Sequence, residues 1–201
     1  MKEEKILATT TKQSSNLLKL IILALLGTIS MMLMFLNFPL PMLPQYLKVD
    51  FSEVPALIAA LIFSPGAGII VEAVKNLLYL IYTGAGDPIG IASNFLAGVL
   101  FVVPVSMLYH KFKGVKSLVS GLVTGTVVMA VGMGLLNYFV LLPAYSMFMG
   151  WESMSDQVKL VTVTGGILPF NVIKGIVIGA LFVPLFIKLK PWLEKKRMAA
   201  S

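Results

Sequence analysis

Two pairs of polar residues lie inside apolar stretches of this 201-residue chain and are the best candidates for chemistry. Glu72 and Lys75 are three residues apart, so on a helix they share a face and can neutralise each other. Asn171 and Lys174 repeat that spacing and place an amide beside an ammonium group. Polar groups in apolar surroundings cost free energy unless they find partners. Glu72–Lys75 is therefore either an internal ion pair or a ligand or coupling site, whereas we expect Asn171 and Lys174 to contact a polar ligand.

Catalytic and metal-binding side chains are scarce. The chain has no cysteine and a single histidine, His110, which excludes thiolate nucleophiles, cysteine-based metal sites and the H-E-x-x-H motif. It also has no G-x-x-x-x-G-K-[ST] sequence, so it cannot bind ATP through a P-loop. We therefore expect a protein that is not an enzyme and holds no metal or cofactor. Active transport would draw its energy from a partner or an ion gradient.

The composition indicates a membrane protein. Hydrophobic residues make up 58% of the chain and charged residues 12%, and the mean hydropathy is +0.92. The charged fraction is about half that of a typical soluble domain. We predict an all-α integral membrane bundle, for which the unit is a helix of about 20 residues. The net charge of +7 is common in nucleic-acid-binding proteins, but membrane proteins collect basic residues on the cytoplasmic side. We expect no nucleic-acid partner.

Six apolar stretches can form membrane helices. They cover residues 20–38, 54–63, 67–82, 89–109, 117–151 and 160–187. The first follows a basic segment but precedes no small-x-small cleavage site, so we predict a retained helix rather than a signal peptide. Three prolines within residues 39–44 predict an extended segment after it. Pro143 predicts the end of the fifth helix, and Gly165-Gly166 with Pro169 predict an early break in the sixth.

The distribution of basic residues decides the number of crossings. Twelve of the sixteen lysines and arginines lie before the first apolar stretch, in the loop 110–116, or after residue 187. All three regions fall on the cytoplasmic side only if 54–82 crosses twice. We therefore predict one domain, 1–201, with six transmembrane helices, both termini cytoplasmic, and basic tails at 1–16 and 188–201. One helix, at about 50–63, is short or broken.

This topology brings polar residues together at the outer side. Asn94, Asn137, Asn171 and Lys174 fall near the outer leaflet, as do Asp50, Glu53, Asp87, Glu152 and Asp156. Their convergence predicts a cavity that opens outward. On the first helix, Ala24 and Thr28 form a small-xxx-small pair, a possible docking face for another membrane subunit.

Several segments resemble one transporter family. The segments are Tyr46 to Ile58, Gly66 to Asn76 with the later Asn94-Phe95, Leu135 to Tyr138, Leu142 to Tyr145, and Leu168 to Gly175. Together they resemble the riboflavin-specific substrate-binding (S) components of energy-coupling-factor (ECF) transporters. The resemblance extends from about residue 17 to 190.

The resemblance implies a multi-pass protein of the bacterial cytoplasmic membrane, surrounded by lipid, that binds riboflavin at its extracellular face. It further implies a transmembrane coupling subunit and two ATP-binding subunits as partners. Asn137, Asn171 and Lys174 would then be polar contacts of the ligand. The loop that caps the ligand would contain Tyr46, Leu47, Lys48 and Asp50. The family's Ala-xxx-Ala docking face corresponds here to Ala24 and Thr28, a departure from the family pattern.

Three alternatives stay open from the residues alone. The same architecture can serve another vitamin, such as thiamine. A self-sufficient proton-coupled transporter would use Glu72 as its titrating carboxylate. A membrane-embedded enzyme acting on lipid is disfavoured, because no nucleophile–base set can be assembled around His110.

Overall fold

The protein is a bundle of six helices, seen in a computed structural model that describes the backbone of residues 2–198 and the side chains of residues 16–191. The first four helices are α1 (Lys2–Met34), α2 (Glu53–Ile62), α3 (Pro65–Tyr82) and α4 (Pro88–Phe112). Helix α5 consists of Val115–Leu136, a π-helical turn Asn137–Leu141, and Leu142–Phe148. Helix α6 consists of Asp156–Thr162, a π-helical turn Val163–Ile167, and Leu168–Met198. The predicted six-helix architecture is confirmed for this part of the chain.

Four of the described helices are long and apolar enough to cross a membrane. They are Asn16–Met34, Pro88–Phe112, Val115–Phe148 and Asp156–Pro191. Helix α2 has 10 residues and therefore spans roughly 15 Å, half of a bilayer core. Ser64 separates α2 from α3 by accepting a hydrogen bond from the backbone of Ala67, and Pro65 begins α3. Residues 54–82 therefore form two helices, of which the first is short, as the sequence predicts.

The segment between α1 and α2 is extended and folds back on itself. Its strands β1 (Phe38–Pro39) and β2 (Lys48–Val49) pair in antiparallel fashion. Prolines in this segment lack the backbone N–H that a helix requires. The basic segments continue the outer helices as far as the structure describes them, since α1 begins at Lys2 and α6 ends at Met198. Met1 and residues 199–201 lie outside the described residues.

Two proline-based expectations are wrong. Pro143 does not end α5, which continues to Phe148, and Pro169 does not break α6. Each proline lies two residues after the end of a five-residue π-helical turn. The turn Asn137–Leu141 precedes Pro143, and the turn Val163–Ile167 precedes Pro169. Proline conflicts with the carbonyl four residues earlier in an α-helix, and the wider π turn changes that hydrogen-bond register. The helices therefore pass the prolines without breaking.

Glycines allow the helices to approach closely. A Cβ on Gly121 would lie 3.0 Å from the carbonyl oxygen of Val105 on α4. A Cβ on Gly125 would lie 2.7 Å from the carbonyl oxygen of Phe101. Both contacts involve backbone atoms, which cannot rotate away as a side chain can. Gly121 and Gly125 therefore allow α4 and α5 to pack closely against each other.

We expect Gly125→Ala to destabilise the protein, because the new methyl group meets the backbone of α4. Overpacking of this kind costs about 1–3 kcal/mol, so the midpoint of thermal unfolding in detergent should fall. Gly165→Ala is the matched control, since a Cβ at Gly165 has no neighbour within 4 Å among the described residues. Equal unfolding midpoints for the two variants would contradict the packing described here.

Candidate functional site

A cavity of about 200 Å³ lies at the end of the bundle nearest the β1–β2 segment. Its wall comes from that segment, the start of α4, the second half of α5, the α5–α6 loop and the middle of α6. The lining residues are Tyr46, Leu47, Lys48, Asp87, Gly90, Ser93, Asn94, Ala97, Met133, Asn137, Leu142, Tyr145, Trp151, Ile167, Phe170, Asn171 and Lys174. Apolar and aromatic walls with a few polar groups are typical of a small-molecule site.

Three asparagines line this cavity. Asn137 donates to the carbonyl of Met133, and Asn171 donates to the carbonyl of Ile167, each at 2.8 Å. These bonds use one N–H of each amide and leave its oxygen and second N–H for a ligand. Asn137 is the first residue of the π-helical turn in α5. The buried Oδ1 of Asn94 has no hydrogen-bond partner among the described residues.

Lys174 places a buried ammonium group in the cavity wall. Its Nζ lies 2.7 Å from Glu53 Oε1 and 3.7 Å from Asp50 Oδ2. All three residues are buried, with Glu53 0% exposed. Lys174 thus lies where it could contact a polar ligand, although the sequence has no carboxylate within four residues of it to serve as an ion partner. Its partners come from the chain before and at the start of α2.

The ion pairs continue away from the cavity into α3. Lys75 Nζ lies 2.6 Å from Glu72 Oε2 and 3.7 Å from Glu53 Oε1. The same ammonium donates to Ser52 Oγ at 2.9 Å, and the hydroxyl of Ser30 on α1 donates to the carbonyl of Ser52. We call Asp50, Glu53, Glu72, Lys75 and Lys174 the buried ion network. It joins α2, α3, α6 and the segment before α2.

Asp50 lies outside the membrane-spanning helices. Burial by itself raises the pKa of its carboxyl, but the ammonium groups of Lys174 and Lys75 and hydrogen bonds from Ser52 hold it below its usual range. The backbone N–H of Ser52 donates to Asp50 Oδ1 at 2.8 Å. Asp50 is therefore ionised at neutral pH and balances part of the charge of Lys174.

Aromatic residues surround the mouth of the cavity. The Tyr145 hydroxyl lies 3.0 and 3.1 Å from the two carboxylate oxygens of Asp87. The Tyr145 ring stacks on Trp151 with centroids 4.6 Å apart, and Tyr46 meets Trp151 edge to face at 6.4 Å. Burial raises the pKa of the Tyr46 phenol, which therefore stays protonated. These contacts connect three loops at the entrance.

The structure brings together seven of the eight binding residues that the sequence suggested. Asn94, Asn137, Asn171, Lys174, Tyr46, Leu47 and Lys48 line the cavity. Asp50 does not line it within the described residues; it lies behind Lys174. The sequence placed Glu53 among the polar residues of the outer side but did not predict its contact with Lys174, and it indicated no site role for Tyr145 or Trp151. The position of Trp151 at the end of an apolar stretch is a signal that the sequence offers, whereas the contact of Glu53 with Lys174 depends on the tertiary fold.

The two residues that the sequence predicts for docking, Ala24 and Thr28, are not among the residues that line this cavity. Ala24 and Thr28 are exposed on α1, and the Thr28 hydroxyl donates to the Ala24 carbonyl at 3.0 Å. Leu25 and Ile29 beside them are 59% and 48% exposed. This face of α1 contacts lipid or another membrane protein.

Comparison with known proteins gives a consistent result. Residues 18–186 match the family described as ECF transporter, substrate-specific component. The riboflavin transporter FmnP of Bacillus subtilis (strain 168) is 50% identical over 183 residues, which cover 90% of this chain and 96% of that protein. The riboflavin transporter RibU of Staphylococcus aureus (strain TCH60) is 44% identical over 177 residues, 88% of this chain and 93% of that one.

A solved structure agrees with the sequence matches. It is the S component of a bacterial ECF transporter, and it superposes with a TM-score of 0.75 at 43% identity. The superposition covers 87% of this chain and 96% of that one. The two chains therefore share most of their fold.

We expect Lys75→Met to destabilise the fold strongly, because it leaves Glu72 and Glu53 without their shared ammonium. Breaking a buried ion pair from one side costs about 3–5 kcal/mol. The double variant Glu72→Gln, Lys75→Met should recover part of that loss. Thermal unfolding in detergent measures both.

Lys159→Met is the control for this prediction. Lys159 pairs with Asp156 at 2.8 Å, but the Asp156 side chain is 81% exposed, and exposed pairs add little stability. If Lys75→Met unfolds at the same temperature as Lys159→Met, the buried ion network does not hold the bundle together.

Proposed function

Because the chain belongs to the family of substrate-specific components of ECF transporters, we propose that it is the subunit that binds riboflavin for uptake. It is a multi-pass protein of the bacterial cell membrane and not an enzyme. The relatives at 50% and 44% identity are named riboflavin transporters. The observation in the fold that carries the proposal is the cavity lined by Asn94, Asn137, Asn171 and Lys174.

Riboflavin suits the lining of this cavity. Its ring system is flat and largely apolar, with hydrogen-bond donors and acceptors along one edge, and its ribityl chain carries hydroxyl groups. Asparagine amides can bond both donors and acceptors of that edge, and apolar walls such as Leu47, Met133 and Phe170 can enclose the ring. The molecule is uncharged, which suits a site whose one deeply buried ammonium already has carboxylate partners.

Asn94 can accept a hydrogen bond from the polar edge of the ligand's ring. Its buried Oδ1 has no partner among the described residues, and an unpaired buried acceptor costs about 1–3 kcal/mol. The ring imide N–H of a flavin can supply the missing donor. Asn94 and the amides of Asn137 and Asn171 then surround one polar edge of the ring.

The segment that carries Tyr46, Leu47 and Lys48 acts as the cap of the site. The cavity of about 200 Å³ is smaller than the roughly 300–1,000 Å³ typical of ligand pockets. We propose that this segment moves outward, at the extracellular face, to admit the ligand. The Tyr46 ring of this segment meets Trp151 of the opposite rim edge to face, so closure restores that contact.

Uptake draws its energy from other subunits. The chain contains no P-loop, and we propose that a transmembrane coupling subunit and two ATP-binding subunits complete the transporter. The exposed face of α1 around Ala24 and Thr28 is the proposed docking surface for the coupling subunit. A proton-coupled transporter that works through Glu72 is not favoured, since the Glu72 carboxylate packs between Lys75 and Gly98.

We expect Asn171→Ala and Asn137→Ala to weaken riboflavin binding by about tenfold or more. Each change removes a hydrogen bond in a closed site, which costs about 1–3 kcal/mol. Titration of the purified protein, followed by the quenching of flavin fluorescence, measures the dissociation constant. Asn16→Ala, at an exposed asparagine of α1, is the matched control and should bind like the unchanged protein.

Two results would contradict this assignment of the site. In one, the folded, unchanged protein does not quench flavin fluorescence. In the other, Asn171→Ala and Asn137→Ala bind as tightly as Asn16→Ala. The first outcome removes riboflavin as the ligand, whereas the second moves the ligand away from this cavity.

We expect Ala24→Trp and Thr28→Trp to abolish assembly with the coupling subunit without changing riboflavin affinity. A bulky ring prevents the close helix contact that small residues allow. Co-purification with a tagged coupling subunit measures assembly. Val131→Trp, at a position of α5 that is 52% exposed, is the control. Normal assembly of the Ala24 and Thr28 variants would move the docking surface elsewhere.

A further inference from the structure

Lys174 is a buried cation that faces a cavity proposed to hold an uncharged ligand. Its residue is 2% exposed, and its ammonium has two carboxylates within 4 Å among the described side chains. Glu53 is the nearer, at 2.7 Å, and Asp50 lies at 3.7 Å. Lys174 thus meets the cavity from one side and its carboxylates from the other.

Glu53 is held by ammonium groups. Its Oε1 lies 2.7 Å from Lys174 and 3.7 Å from Lys75, and its Oε2 has no hydrogen-bond partner among the described residues. The side chain is completely buried and does not line the cavity. The role of Glu53 at the site is therefore exerted through Lys174.

A lysine ammonium without a counter-charge would give the cavity a strong preference for anions. Coulomb interactions are much stronger in such a desolvated site than in water, and Lys174 can then bind a phosphate or carboxylate as a point charge. With Glu53 in contact, the ammonium donates one of its three N–H groups to that carboxylate, keeps the others for a ligand, and loses most of its net field. The other charged side chains of the lining, Lys48 and Asp87, are opposite in sign.

We propose that Glu53 is a positioning and specificity-determining residue, which holds Lys174 at the cavity wall as a charge-balanced hydrogen-bond donor and so favours uncharged over anionic ligands. This inference rests on the proposed function, because it concerns the same site. It predicts that removal of the Glu53 charge shifts the ligand preference toward anions, beyond any general loss of affinity.

The test compares riboflavin with riboflavin 5′-phosphate, which carries the same ring and an added anionic group. Fluorescence titration gives the dissociation constant of each, and their ratio is the preference of the protein. We expect Glu53→Gln to shift this ratio toward the phosphate by about tenfold. Glu53→Asp, which keeps the charge, should retain most of the original preference. A ratio that is the same in folded Glu53→Gln and unchanged protein overturns the proposal.

Two further variants separate the role of Glu53 from general effects. Glu72→Gln removes the same charge from a carboxylate that pairs with Lys75, so the ratio should shift far less than in Glu53→Gln. In the Lys174→Gln background, adding Glu53→Gln should not shift the ratio further, because Glu53 acts through Lys174. An equal shift in Glu72→Gln, or a full shift in the absence of Lys174, contradicts the proposal.

The test remains decisive if Glu53→Gln does not fold. Asp50→Asn removes the second carboxylate of Lys174 and should shift the ratio in the same direction by a smaller factor; an unchanged ratio counts against the proposal. Titration of the unchanged protein distinguishes failure of the proposed function from failure of the proposed role of Glu53. If it binds neither flavin, the proposed function fails. If it binds riboflavin and the ratio does not depend on Glu53, only the present inference fails.

Discussion

Burial of five charged side chains in one membrane protein is the constraint on which the rest of the structure depends. Three carboxylates and two ammonium groups lie at 0–6% side-chain exposure in a network of ion pairs. Each charge is costly in a low-dielectric region unless its partner is in place. The network therefore requires α3, α6 and the start of α2 to meet at one point. Through Ser52 and Ser30 it also involves α1.

The cavity borders this network and shares Lys174 with it. The backbone of α5 and α6 then decides which other groups face the ligand. Both helices contain a π-helical turn, and Asn137 begins the first while Asn171 follows the second by one turn. A π turn changes the direction of the side chains that follow it. The two asparagines thus reach one cavity from different helices, where they meet Asn94 from α4.

Much of the fold could be predicted from the sequence, because the physical signals are strong and local. Apolar stretches located the helices, and the bias of basic residues favoured a division of 54–82 into two segments, which the structure shows as two helices. The expected end at Pro143 was wrong because a proline signal is local, whereas the π turn that accommodates Pro143 depends on packing.

The asparagines of the site were found because polar groups are rare in such helices. Glu53 was missed as a partner of Lys174, because the two are far apart along the chain. The mouth formed by Tyr145, Trp151 and Asp87 also depends on loops that only the fold brings together.

A structure of the protein with bound riboflavin tests the central claim most directly. We expect the ring in the cavity between α4, α5 and α6, with its polar edge within hydrogen-bond distance of Asn94, Asn137 or Asn171. We also expect the Lys174 ammonium in contact with both Glu53 and the ligand. A flavin bound elsewhere, such as in the apolar groove of Val123, Ile176 and Gly179 between α5 and α6, would contradict it. So would a ligand in the cavity that makes no contact with these polar groups.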